Sequence, residues 1–249
     1  MNLSPVHLAE APPVPCALWR MALDQQVPAA ARERLSAAEQ ARAARFVFAR
    51  DRERYVAAHA ALRQLLAMHF ANLGRSGDAA AGSQAFVTGR HGKPALAAPA
   101  SLHFNLSHSG GMGMVALSEE RELGIDVEQL RPVKDATAMA AAYFSPAERV
   151  ALAACDEATR DRAFLVCWTR KEACLKALGI GLYLATRSFD VGVEPDTRIV
   201  EIATPDGIER VHLQSFADGD TIAALALRGM PHAVGSNRIA ASFSTEANP

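Results

Sequence analysis

Gly124-Ile125-Asp126-Val127-Glu128 and Trp168-Thr169-Arg170-Lys171-Glu172-Ala173-Cys174-Leu175-Lys176 are the two stretches on which the reading of this chain turns. The first has the alternation of a strand, in which residues two apart point the same way. Asp126 and Glu128 then share one face, and Ile125 and Val127 pack on the other. Two carboxylates that close repel unless a cation lies between them, and magnesium favours such hard oxygen ligands together with substrate phosphate. A solvent-facing acidic pair on an edge strand has the same spacing. The second stretch has the character of a helix, with Trp168, Glu172 and Lys176 four apart on one face and Lys171 beside it. Glu172 before Lys176 is also the favourable order for a simple i,i+4 ion pair. If the two stretches meet in space, they make a magnesium site beside a phosphate site.

The composition bounds the rest. At 249 residues the chain makes one large domain or two small ones, and at 50% hydrophobic residues it has enough apolar material for a core. A net charge of −1 gives no global field toward nucleic acid or membrane. The charge is uneven, however. Arg32, Arg34, Arg42, Arg45, Arg50, Arg52, Arg54 and Arg63 crowd one N-terminal region, which suits either a local anion site or mixed-charge solvated helices. Cys16, Cys155, Cys167 and Cys174 form no CxxC pair, so a reduced, cytoplasmic protein is expected. No basic start followed by an apolar run marks a signal peptide, and no run of about 20 apolar residues marks a membrane span.

Outward from the two stretches, the pattern predicts an α+β chain. Residues 1–15 are expected as loop and edge strand. A helix is expected from Ser36 to about Phe48, with Ser36 and Glu39 as a capping box, and a second from Asp51 to Leu73, ended by Gly74. Residues 74–83 read as a Gly/Ser/Ala loop. Phe86-Val87, Leu102–Ser107, Met112–Leu117 and Leu123–Glu128 read as strands, with a polar break at Ser118–Arg121. Helices follow over Thr137–Tyr143, from the cap Ser145-Pro146 to about Ala154, and over Asp161–Leu178, stopped by Gly179. Short strands are expected at Ser188–Val193, Arg198–Ile202, Val211–Ser215 and Thr221–Ala226, then a polar tail after about Ala240. Each half reads as helices followed by strands, so a duplicated unit is expected, divided into 1–118 and 119–249.

Asn105-Leu106-Ser107-His108-Ser109-Gly110-Gly111 ends a strand and enters a glycine turn whose amides, hydroxyls and imidazole can hold phosphate oxygens. A Ser107/His108 nucleophile pair is disfavoured, because adjacent strand residues point to opposite faces and no G-x-S-x-G elbow is present. The glycines match neither a P-loop nor a dinucleotide fingerprint, and His91, His103 and His108 lack zinc spacing.

Taken together, Gly92-Lys93-Pro94, Phe104-Asn105-Leu106-Ser107-His108-Ser109, Gly124–Glu128, Phe144-Ser145-Pro146-Ala147-Glu148 and Trp168–Lys176 resemble, in order and spacing, the Sfp-type 4′-phosphopantetheinyl transferases. The match spans about Arg42 to Gly181. The resemblance implies two similar α+β halves related by a pseudo-twofold, with coenzyme A in the cleft between them. It implies transfer of phosphopantetheine from coenzyme A to a serine of an apo carrier protein, releasing adenosine 3′,5′-bisphosphate. By matching position, Asp126, Glu128 and Glu172 hold magnesium, and Lys176 steadies phosphate. Ser107 and His108 bind coenzyme A phosphates, with Lys93 beside the nucleotide and Arg54 and Arg42 facing the 3′-phosphate. Lys171 is structural or touches phosphate. Glu148 and Glu172 both stand as general base. The stretch Leu130–Tyr143 offers a docking surface or a core helix. The partners implied are fatty-acid, polyketide or nonribosomal-peptide carriers, and a monomer is expected because each half supplies one side of the cleft. A lysine seen before Glu39 in some relatives is absent here, where Ala38 stands. The alternatives are a non-catalytic coenzyme A- or carrier-binding scaffold and a hydrolase of nucleotide pyrophosphates.

Overall fold

The computed structural model describes residues 2–74, 86–97 and 102–229. The expected tail after Ala240, and all but the start of the expected loop at 74–83, lie outside the described residues. The chain is α+β. The elements run β1 (Leu3–Pro5), β2 (Ala17–Ala22), α1 (Ala29–Arg32), α2 (Ala37–Ala43), α3 (Ala49–Asn72), β3 (Val87–Thr88), β4 (Pro94–Ala95), β5 (His103–Ser109), β6 (Met112–Ser118) and β7 (Leu123–Gln129). They continue with α4 (Ala136–Tyr143), α5 (Pro146–Ala154), α6 (Glu157–Leu178), β8 (Thr197–Thr204), β9 (Gly207–Asp218) and β10 (Thr221–Arg228).

Two antiparallel four-stranded sheets organise these elements, in the orders β1-β2-β6-β5 and β7-β10-β9-β8. The connectivity is similar in part: β2 is followed by helices and then the β5–β6 hairpin, whose β6 pairs with β2, and β7 is followed by helices and then β8, β9 and β10, whose β10 pairs with β7. Alternating side chains give each sheet two apolar faces. Trp19, Phe104, Val115 and Leu117 pack on α3 through Ala58, Leu62 and Leu65. Ile222, Ala224 and Ala226 pack on α6 through Phe164, Ala173 and Ala177. Between the sheets, Leu18, Met114 and Ala116 meet Ile125, Val127 and Leu225. The layers are therefore helix, sheet, sheet, helix. No helix among the described residues is long and apolar enough to cross a membrane.

Local chemistry accounts for the helix ends. Ser36 and Glu39 close a capping box on α2, and Ser145 and Glu148 close one on α5, with Pro146 in its first turn. Asp156 caps α6, accepting from Thr159 N at 2.8 Å. Gly179, at φ 67°, ends α6 in a Schellman turn, with Ile180 N donating to Leu175 O at 3.3 Å.

Two expectations are corrected and one strand is added. Strand β2 is unassigned by sequence pattern, because Ala17-Leu18-Trp19-Arg20-Met21-Ala22 is apolar on both faces and lacks clean alternation. The α2 helix stops at Ala43 rather than near Phe48. Ser188–Val193 is not a strand: a 3₁₀ turn covers Thr186–Ser188, and buried side chains take the backbone groups that follow. Arg170 Nε donates to Val191 O at 2.6 Å, and Lys171 Nζ to Phe189 O at 2.7 Å.

One contact fixes the register of the second half. A Cβ on Gly124 would lie 2.1 Å from Ala173 O and 2.4 Å from Ala177 N, so β7 touches the α6 backbone there. Gly124→Val is expected to lower stability by about 3 kcal/mol or more, read by urea denaturation. A second test concerns Glu39, which is buried and lies 2.6 Å from Arg63 Nε and 2.8 Å from His59 Nδ1. Burial alone would raise its pKa, but bonds from His59, Arg63 and Ser36 outweigh it and hold the carboxyl at about 2, against an ordinary 4.5. Its contribution is complete above pH 4.5 and is lost as pH falls toward 2, in all about 3 kcal/mol. Acid unfolding followed by circular dichroism should be shallower over that window in Glu39→Gln.

Candidate functional site

Because α6 runs antiparallel to β7 across Gly124, the polar face of the helix lies along the polar face of the strand. Lys176 Nζ donates to Asp126 Oδ1 at 2.6 Å, to Ser107 Oγ at 3.0 Å and to Ile125 O at 3.2 Å. One turn back, Glu172 is half-buried and carries a pKa raised by burial and by the charges of Asp126 and Glu128, against the opposing pull of Lys176. Trp168, a further turn back, borders the same hollow as Glu128 and Arg131. Asp126, Glu128, Glu172 and Lys176 therefore form one cluster.

The opposite wall is β5. It lies beside β7 and runs in the same direction, but no backbone ladder joins the two strands. Side chains make the rungs instead. Ile125 N donates to Asn105 Oδ1 at 2.9 Å, Ser107 Oγ to Asp126 Oδ1 at 2.8 Å, and Ser109 Oγ to Glu128 Oε2 at 2.6 Å. Ser107 is buried and fully engaged, while His108, on the other face, is exposed. Desolvation by its surroundings holds the His108 imidazole below its ordinary value, and Lys176, His59 and Arg54 add to the effect. Arg54 reaches the turn after β5: a Cβ on Gly111 would lie 3.5 Å from its Nη2. Its guanidinium forks onto Asp24 with two bonds of 2.6 Å, which hold that exposed carboxyl below its usual range.

Other predicted site residues stand apart. Arg42 is exposed, with its guanidinium 6.0 Å from the centre of the Tyr55 ring. Lys93 lies past the far end of β7, where it donates to Leu123 O at 2.9 Å and pairs with Glu122. Burial lowers the Lys93 pKa, whereas His103 and Lys93 hold Glu122 at about 2. Glu148 does not fit the expectation of a general base. It is 1% exposed, its Oε2 lies 2.8 Å from Lys171 Nζ and 2.8 Å from Ser145 N, and its Oε1 accepts from Val191 N at 2.7 Å. Lys171, also 1% exposed, donates to Thr186 O at 2.8 Å as well, which leaves it no reach toward phosphate. Glu148 and Lys171 tie α5 to α6 on a face of the helix turned from Glu172.

The acids suit a hard cation. Asp126 Oδ2 is buried and has no hydrogen-bond partner among the described residues, which is costly for a carboxylate oxygen unless a cation supplies the missing charge. Among the described residues no three acid, imidazole or thiol groups are already gathered around one ion position. Magnesium does not require that, since it binds through one or two carboxylates plus substrate phosphates and water. Sequence pattern missed Ser109, Glu122 and Asp24. The period of two from Ser107 points to Ser109, while nothing local marks the other two.

Asp126, Glu128, Glu172 and Lys176 thus stand together on a two-sheet α+β frame, beside a turn that Arg54 reaches. The model of the 4′-phosphopantetheinyl transferase superfamily matches residues 122–226. The 4′-phosphopantetheinyl transferase HetI of Nostoc sp. is 33% identical over 218 residues, covering 85% of this chain and 87% of that protein. Sfp of Bacillus subtilis is 32% identical over 131 residues, 53% of this chain and 57% of its own. AcpT of Salmonella typhimurium is 44% identical over 93 residues, 37% of this chain and 48% of its own. The chain belongs to the 4′-phosphopantetheinyl transferase superfamily, and it is an enzyme of that class.

Glu148→Gln leaves Lys171 buried without its counter-charge, which is expected to cost about 3–5 kcal/mol in urea denaturation. Wild-type stability with lost transfer would instead give Glu148 a direct part in the chemistry.

Proposed function

We propose that this enzyme moves the 4′-phosphopantetheine arm of coenzyme A onto a serine of an apo carrier protein, with magnesium bound by Asp126, Glu128 and Glu172. The observation that carries this reading is the orphaned Asp126 Oδ2 inside a cluster that also holds Glu172 and Lys176. In the transfer, the serine oxygen bonds to the β-phosphorus and the bond to the bridging pyrophosphate oxygen breaks. The products are the phosphopantetheinyl carrier and adenosine 3′,5′-bisphosphate. Such reactions depend on charge neutralisation and alignment more than on covalent help. Magnesium held by Asp126, Glu128 and Glu172 would supply Lewis-acid neutralisation of phosphate charge. Lys176, held by Asp126 and the Ile125 carbonyl, supplies a fixed positive charge beside them. His108 takes the nucleotide phosphates together with Arg54, which exchanges Asp24 for them, with Arg42 further out on α2 and Lys93 beside the nucleotide, while Ser107 acts through Asp126 and Lys176. Glu172, rather than the enclosed Glu148, takes the serine proton, directly or through water; burial first, then the charges of Asp126 and Glu128, raise its affinity for a proton.

The carrier docks on Leu130–Tyr143. Leu130 and Tyr143 are partly exposed, and Met139 borders the hollow next to Glu128. The fatty-acid, polyketide and nonribosomal-peptide carriers all offer a serine for this chemistry. The halves 1–118 and 119–249 are read as the coenzyme A side and the metal-and-docking side of a pseudo-twofold monomer working in the cytoplasm.

The test is to incubate the protein with coenzyme A, magnesium and apo carriers and to weigh the carriers. A gain of one phosphopantetheine is expected, and none across carriers of all three kinds would overturn the reading. Asp126→Ala and Glu172→Ala should each abolish magnesium-dependent transfer while circular dichroism stays unchanged. Full activity in either removes that residue from the site.

A further inference from the structure

The three rungs between β5 and β7 follow a pattern that the transfer reaction leaves unexplained. Ser107 and Ser109 each bond to one oxygen of a facing carboxylate and leave its sister uncommitted. On Asp126, both Ser107 and Lys176 fall on Oδ1, and Oδ2 is the orphan. On Glu128, Ser109 falls on Oε2, as does the longer Arg131 contact at 3.6 Å, and no hydrogen bond among the described residues falls on Oε1.

Ser109 is itself fixed from behind. Gln129 N donates to Ser109 Oγ at 3.3 Å, so the hydroxyl accepts from the β7 backbone and spends its one proton on the Glu128 side chain next to it. The Gln129 side chain closes over the turn: a Cβ on Gly110, at φ 57°, would fall 2.0 Å from Gln129 Oε1. A carboxylate on an unrestrained side chain would lose rotamer freedom on binding a cation. One already held by a hydroxyl that is oriented by the backbone has met that cost in folding.

We infer that Ser109 is a positioning residue for the cation site: with the Gln129 amide it holds Glu128 Oε2 so that Oε1 is presented, as Ser107 does for Asp126. The inference rests on the proposed magnesium reading. It deepens that reading by assigning to the first half of the chain, through β5, control over the geometry of ligands carried by the second.

Mn²⁺ serves as the probe, titrated into the protein with coenzyme A present and followed by electron paramagnetic resonance. Ser109→Ala should weaken Mn²⁺ binding by about 10-fold or more. Ser109→Thr, which keeps the hydroxyl, should restore it. In steady-state assays the alanine variant should need more magnesium for half-maximal rate, while its KM for coenzyme A stays unchanged. Wild-type Mn²⁺ affinity in Ser109→Ala, with Asp126→Ala still abolishing binding, overturns the positioning role and leaves the metal assignment standing. Absence of Mn²⁺ binding to the wild-type protein overturns both. A circular dichroism spectrum unlike the wild type in Ser109→Ala shifts the decision to Ser109→Cys. There, unchanged Mn²⁺ affinity also overturns the role, and a 10-fold loss supports it.

Discussion

The site depends on how closely β7 lies against α6. Only the missing side chain at Gly124 allows a strand to rest on a helix backbone in this way, since any Cβ there would overlap the carbonyl of Ala173. From that contact the rest follows by helical and strand geometry. Two residues along β7, Asp126 reaches Lys176, and two further on Glu128 comes abreast of Glu172 and Trp168. Acids that would repel one another in isolation are held together by two buried backbones.

Holding like charges at close range costs free energy, and the fold distributes the cost unevenly. Lys176 offsets part of it at Asp126. Glu172, whose pKa is raised first by burial and then by Asp126 and Glu128, bears another part. What remains is the unpartnered Asp126 oxygen, a local departure from the rule that buried polar atoms are bonded. Other enclosed charges are matched one to one, as Asp126 is with Lys176: Glu148 with Lys171, Glu39 with Arg63, and Arg170 with Asp196. What sets the cluster apart is that three carboxylates gather beside one lysine.

How much of this is legible in sequence depends on the range of the interaction. The i,i+2 acids of β7 and the i,i+4 row of α6 come straight from periodicity, as do the two capping boxes and the glycine stop at Gly179. That the two rows face each other does not follow from spacing, and the ordered motifs suggested it only through resemblance. Residues whose meaning lies in distant partners are misread. Glu148 looks like a free acid until Lys171 and the Val191 amide, 43 positions away, close around it. Ser188–Val193 has the composition of a strand, but Arg170 and Lys171 take its carbonyls. Asp24 bears no local mark at all, yet it occupies the guanidinium of Arg54.

The seam between β5 and β7 is stitched by side chains where a continuous sheet would have a backbone ladder. Two backbone amides of β7 are covered by side-chain oxygens of β5: Ile125 by Asn105, and Gln129 by Ser109. Exchange of the buried Ile125 amide with solvent deuterium therefore requires β5 to part from β7, whatever happens to the ladders within either sheet. That N–H is a built-in reporter of whether the seam is closed.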